Sequence, residues 1–585
     1  MKRWFKQHDT LPLRLATVLA AAAFAVLYWR CVLSSGGAPA GYFFGEQEDI
    51  RETAQELVQE LPASAPLVEK KDIYQLDTSL YDVYLSVLPT EDEEGTLLDL
   101  SAFDLHTARD RSYNPVLNCN IQILPEGQTP NPLLDLDREN ATVRVRGNTS
   151  RGDPYKSYKV RLNKGTKEFF GQSVLNINKD YHDVSKVGTK LSADLLEELE
   201  NVTGYRSYFM RLWIRDASLP LAEQEFVYQG MYIELEQPNK TYLHTRDMDE
   251  NASLYKAIRF SFTHDGALRD VDDPKYSQEA FEQVLGIREG KDHKRLLEML
   301  DALNDPDRDF EEVFARYFNE ENYLTWLAFN VLLGHEDILN QNFLLYSPEN
   351  SSTWYFLNWD FDGGLRFGAS ESERPESLRG IQKLTMVGLH RRFFEIPGNL
   401  EKLDSKMREL LDTHITRERV TALVEAYKPV LQKTLTVDPD INILKYTPDQ
   451  LFAYLDGLYD GILHNYEVFR ASSRYPFSGF VAKPTRNQDG SVQFAWDAFY
   501  SPKDLPVTYS LQIYSDYNQE NLVYEMTGLQ QTSYLLEEGL PNGTYYALVS
   551  GTDSEGWRQI SLEHVEGWVG QKFFYKDGLL EFTLE

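Results

Sequence analysis

The sequence predicts a large α+β domain followed by an all-β sandwich, with a transmembrane helix at the N-terminus. Three observations lead there. Between Ile73 and Ser472 strand-like pieces come first and helical patterns dominate later, the order of an α+β fold. From Phe477 onward apolar residues alternate with polar ones between turn signals, which is strand periodicity. The stretch from Leu11 to Leu33 is long and apolar enough to cross a bilayer if Arg14 and Arg30 reach the interfaces. The resulting division is 1–40 for a cytoplasmic tail and signal anchor, 41–72 for an acidic juxtamembrane stalk, 73–472 for the α+β domain and 477–585 for the sandwich.

Lys2, Arg3, Lys6 and Arg14 precede the apolar run. Positive flanks stay in the cytoplasm, so the bulk of the chain is expected outside it, held to the membrane by the anchor. Ala38-Pro39-Ala40 has the small-x-small form of a cleavage site, and a cleaved signal peptide with a secreted product is the alternative. The chain has 585 residues and a formal net charge of -32. That charge repels polyanions and excludes nucleic acid as a partner, while it draws in basic ones such as a Ser/Lys-rich protein substrate. Cys31 lies in the apolar run and Cys119 far downstream, so no disulfide is expected within the folded part. With no Cys/His cluster at zinc spacing, any metal is expected on oxygen ligands.

Near the C-terminus, Val492, Phe494 and Trp496 alternate, as do Val507, Tyr509, Leu511 and Ile513. The run from Leu540 through Pro541, Asn542, Gly543 and Thr544 to Tyr545 and Tyr546 resembles the fibronectin type III corner. That likeness makes Tyr546 the tyrosine whose hydroxyl bonds back upstream, and Trp496 the strand-B tryptophan. Both read as core residues, which moves the search for chemistry upstream.

In the central domain Tyr323 to Leu333 is apolar nearly all round, as in a buried central helix, and Gly334 ends it. Directly after it Asp337 is followed five positions later by Asn342. In phosphoryl transfer an Asp at such a place accepts the acceptor's hydroxyl proton and an Asn on the same loop holds magnesium. Trp359-Asp360-Phe361-Asp362-Gly363-Gly364 then puts carboxylates at the end of an aromatic strand, with Asp360 as principal metal ligand and Asp362 as a second ligand or orienting group. Upstream, Arg144 to Leu162 gathers Arg146, Asn148, Lys156, Lys159 and Arg161 around a glycine turn between strands, a phosphate-binding composition. Strand alternation places Lys156 on the face of Tyr158, Val160 and Leu162, pointing inward toward an anion, and Lys159 with Arg161 on the other face. A basic glycine turn, an Asp-Asn loop and a strand ending in Asp follow the order of parts in a kinase.

These segments resemble the CotH (spore-coat protein H) kinase-like family in Arg146-Gly147-Asn148-Thr149, Lys156-Ser157-Tyr158-Lys159, Leu175 to Asp183, Lys190-Leu191, Gly230 to Glu236 and Trp359 to Asp362. The resemblance implies an atypical kinase fold that transfers the γ-phosphate of ATP to protein serine or threonine with Mg2+ or Mn2+. Asp337 would be its catalytic Asp, and Asn342 and Asp360 would hold metal. Glu236 is a candidate partner for the nucleotide-site lysine, although strand glutamates alternating with apolar residues more often face solvent. Lys159 departs from the arginine common in the family and cannot clamp phosphate in a bidentate way. A catalytically silent surface-binding or spore-envelope assembly protein is the alternative, and a metal-dependent phosphohydrolase using Asp360 and Asp362 a third.

Overall fold

In the stretch Ala141–Leu162, Val143, Val145, Tyr158 and Val160 alternate with cations, so one face is apolar and the other charged. In a computed structural model of the chain, which describes residues 65–585 except 108–111, 132–137, 148–149, 366–374, 567–571 and 575–577, that apolar face lines the inside of a closed barrel. Its strands are β1 (Leu80–Val87), β2 (Leu117–Pro125), β3 (Ala141–Arg146), β4 (Ser157–Leu162), β5 (Val174–Asn178), β6 (Ser207–Asp216) and β7 (Val227–Glu236). They pair in the order β1-β2-β3-β4-β5-β7-β6, and β6 closes onto β1 in parallel register. Helix α1 (Gly188–Leu196) lies between β5 and β6 in sequence and is buried along its whole length.

A second sheet follows, built from β8 (Ser253–Ala257), β9 (Leu285–Glu289), β10 (Phe343–Ser347) and β11 (Tyr355–Asn358) in the order β9-β8-β10-β11. Helix α2 (Glu320–Leu332) packs on β11, and it is the predicted central helix: all but its first two residues and Val331 are buried. The Asn319 side chain caps its start by accepting from the Asn322 amide, and Gly334 at φ 64° lets the chain leave its end. Inside, Asn322 ties the helix to the sheet: its Oδ1 accepts from the Phe356 amide at 2.7 Å and its Nδ2 donates to the carbonyls of Phe356 and Asn201. Helices α3 (Ile381–Leu384), α4 (Asn399–Thr413), α5 (Arg417–Leu435) and α6 (Leu458–Ser472) complete the large core around α2.

Residues 65–72, expected in the stalk, are packed on this domain instead. The Ala65 carbonyl accepts from Tyr355 and Asn319, Leu67 enters the core, and Glu69 lies 3.4 Å from Arg246. The expected membrane span and the rest of the stalk lie outside the described residues, among which no helix is long and apolar enough to cross a membrane.

The C-terminal region is all β. Strands β12 (Val492–Ala495), β13 (Val507–Tyr514), β14 (Leu522–Leu529), β15 (Ser533–Leu536), β16 (Gly543–Asp553), β17 (Arg558–Ile560) and β18 (Leu579–Leu584) form separate sheets, one with β12 and β15, the other with β13, β14, β16, β17 and β18. Val492, Phe494 and Leu536 of the first share a core with Leu511, Ile513 and Val549 of the second, and Trp496 belongs to it as expected. Tyr546 does not make the corner bond. The strand pleat puts Tyr545, Ala547 and Val549 on the core face, so Tyr545 is the buried tyrosine and its hydroxyl donates to the Pro541 carbonyl at 3.1 Å, while Tyr546 is half-buried on the other face. The region is locked to the helical core by Gln559, fully buried, whose Nε2 faces the Ser377 carbonyl, Gln382 Oε1 and the Pro476 carbonyl.

Candidate active site

The charged outer face of the barrel and the edge of the second sheet enclose a cleft of about 360 Å³. From the barrel come Arg144 and Arg146 on β3, Lys159 on β4, Asn176 and Asn178 on β5, and Asp180 just beyond it. From the second sheet come Lys256 on β8 and Arg288 on β9. The loop after α2 adds Asp337 and Asn342, and the turn after β11 adds Trp359, Asp360 and Asp362.

The two acidic segments meet closely. Asn342 Nδ2 donates to Asp337 Oδ2 at 3.4 Å, which leaves Oδ1 as the atom a hard cation would take. A side chain on Gly363 would put its Cβ 2.9 Å from the same Asp337 oxygen, so this glycine lets the Phe361–Gly363 turn sit against the carboxylate. Asn342 at φ 57° and Asp360 at φ 62° both adopt left-handed backbone, strain that concentrates at functional sites. The Phe361 ring packs at a tilt against His335, 4.4 Å between centroids, and fixes the turn from behind, a structural role for that histidine. Lys256 Nζ lies 3.5 Å from Asp360 Oδ2.

The acidic pole carries more negative charge than the fold neutralises. Burial, then the neighbouring Asp360 and Asp180, push Asp362 well above the usual carboxylate range. Burial and then Asp183 push Asp180 up to about 7, against the pull of a hydrogen bond from Thr189. Asn178 Oδ1 is buried in the cleft wall with no hydrogen-bond partner. Among the described residues no three His, Cys, Asp or Glu side chains are gathered tightly enough to hold a metal by themselves. Oxygen donors of this kind fit a magnesium-type ion, which keeps waters and takes one or two carboxylates together with substrate phosphate. Asp360, Asp362 and the Asn342 carbonyl oxygen are the residues that could hold it.

Several expected residues are elsewhere. Lys156 does point inward, but inward is the barrel wall: its Nζ donates to the Arg151 carbonyl at 2.8 Å, and Lys159 on the opposite face is the lysine in the cleft. Arg161 is exposed and does not line the cleft. Glu236 is neither solvent-facing nor in the cleft. Arg246 and Arg206 grip its carboxylate, the former at 2.6 Å, and together they outweigh its burial and hold it down at about 2. Asn148 lies outside the described residues. The cleft residues that sequence reasoning did not single out are Arg144, Asn178, Asp180, Lys256 and Arg288. Of these, Asn178 and Asp180 lie in the Leu175 to Asp183 segment and Arg144 opens the basic run, whereas Lys256 and Arg288 carried no signal in the sequence.

Residues 143–448, just over half of the chain, match the family described as CotH kinase protein. The chain belongs to the CotH kinase protein family. Over 336 residues it is 24% identical to the inner spore coat protein H of Bacillus subtilis (strain 168), an alignment spanning 55% of this chain and 84% of that protein. The matched CotH region runs from β3 to the start of the helix Pro448–Asp456, and so contains the basic wall, the Asp-Asn loop and the Asp360 turn together.

Proposed function

We propose that the protein is an atypical protein kinase that works outside the cytoplasm, transferring the γ-phosphate of ATP to serine or threonine of a protein substrate with Mg2+ or Mn2+. The observation that carries this is the convergence of Asp337, Asn342, Asp360 and Asp362 on one wall of a cleft whose other wall is cationic. Asp337 accepts the proton of the acceptor hydroxyl as its oxygen bonds to the γ-phosphorus, and the bond from that phosphorus to the ADP oxygen breaks. Asn342 donates to Asp337 and holds it in place, Arg146 and Lys159 bind phosphate oxygens, and Lys256 steadies Asp360. The bound metal ion would offset phosphate charge as it builds.

A net charge of -32 supports a basic, Ser/Lys-rich substrate, and the positively flanked apolar N-terminus supports a membrane tether, or secretion if it is cleaved. The likeness to an inner spore coat protein supports a place in a spore envelope. The C-terminal sheets, with their shared core and the Tyr545–Pro541 bond, support a fibronectin type III-like sandwich. The likeness to an inner spore coat protein favours, as a second reading, a catalytically silent assembly protein. Incubation with labelled ATP and magnesium separates them. Wild type should label itself or a Ser/Lys-rich protein and Asp360→Ala should lose at least about a hundredfold, whereas equal labelling by both, or none by either, contradicts the kinase.

A further inference from the structure

We propose that Arg144, Arg146, Lys159 and Arg288 form a polyphosphate subsite at the basic pole of the cleft, and that a polyphosphate binds there together with one proton taken up by Lys159. The inference deepens, and rests on, the nucleotide reading of the same cleft.

The barrel register sets Lys159 on β4 directly across from Arg144 on β3, and like charges facing each other on antiparallel strands repel. Arg146 is next on the same face of β3, Arg288 approaches from β9, and Arg161 follows Lys159 on its own strand. The remaining neighbours bring no negative charge. Asn176 is the partner of Lys159 on β5, and Gln237 beyond β7 accepts from Lys159 Nζ at 2.8 Å. On β8, Lys256 turns to Asp360. Among the described residues none of the proposed cations has a carboxylate within the 4.0 Å of an ion pair, and Arg288 Nε is buried with no hydrogen-bond partner.

Guanidinium groups keep their protons, so repulsion in the empty subsite can be relieved only at the lysine. Burial, with Arg144, Arg288, Arg146 and Arg161 around it, pushes Lys159 down to about 7. A bound anion of several charges reverses the local field and restores the ammonium, drawing one proton from solvent. The sign follows: the free subsite loses its proton as pH rises above about 7 while the occupied one keeps it, so affinity weakens by up to tenfold per pH unit. A lysine here gives the cleft a pH dependence that an arginine would not.

Titration calorimetry of the full chain tests this, with magnesium ATP and with inorganic tripolyphosphate, at pH 7 and 8, in buffers of different ionisation enthalpy. Wild type should take up between about half a proton and one proton at pH 8 and bind roughly fivefold to tenfold more weakly than at pH 7. Lys159→Arg should bind both ligands with that uptake and pH dependence removed. Equal proton counts in the two proteins, or none in wild type, overturn the proposal. Tripolyphosphate binding with proton uptake, but no ATP binding, would uphold it and sink the nucleotide reading. ATP binding without uptake would do the reverse, and no binding of either ligand would end both.

Discussion

Asp180 shows how much charge the cleft holds against itself. Raised to about 7 by burial and Asp183, it stays protonated in the folded chain over a range where the unfolded chain has ionised it. An acid of this kind supports the fold fully below about pH 4, and that support is lost as pH climbs through 7. Asp180→Asn keeps the hydrogen bond with Thr189 and removes the charge, so it should stabilise the protein by about 1–2 kcal/mol at pH 8 and by nothing at pH 4. Urea unfolding at the two pH values reads the difference. Equal effects at both would mean that the carboxylates are compensated in a way the cleft does not show.

Among the elements, α2 and β11 together position the proposed catalytic cluster, since the loop after one carries Asp337 and the turn after the other carries Asp360. Asn322 welds them by accepting from the Phe356 amide and donating to the Phe356 and Asn201 carbonyls. Asn322→Leu leaves buried backbone groups unsatisfied and should lower stability by about 3 kcal/mol, measured by denaturant midpoint. The order of these parts was legible in the sequence because local spacing reports it: an apolar helix, an Asp-Asn loop and an aromatic strand ending in Asp. What failed were inferences about sides. Alternation told correctly that Lys156 and Lys159 face opposite ways, but not which face lines a barrel and which a cleft. Glu236 looked like a surface residue because it alternates with apolar residues, but β7 is buried on both faces from Gly230 to Glu236, and the partners of Glu236, Arg206 and Arg246, lie on other segments. Arg288 and Lys256 enter from strands that pair only after folding, so no local pattern announced them. In the C-terminal sheets a slip of one position gave Tyr546 the upstream hydroxyl bond that Tyr545 makes.

For the whole molecule, the C-terminal sheets are part of the folded unit rather than a bead on a string. Gln559 spends its Nε2 on partners from the helical core, Arg391 reaches the Ser478 and Ala498 carbonyls, and Trp557 packs edge-on against Tyr475. A calorimetric scan of the full chain should show the CotH domain and the sheets melting in one transition. Gln559→Ala strands buried carbonyls and should lower that transition or split it, at a loss of about 2 kcal/mol. Two well-separated transitions in wild type would show that the regions are independent.

On the proposed function, two walls of opposite charge hold a metal and a triphosphate between them. A structure of the protein with Mn2+ and a non-hydrolysable ATP analogue tests it most directly. The metal is expected at roughly 2 Å from oxygens of Asn342 and Asp360, with the phosphates running toward Arg146 and Lys159. A nucleotide or metal bound away from these residues, or none bound at millimolar concentration, would rule out a nucleotide and metal site in this cleft.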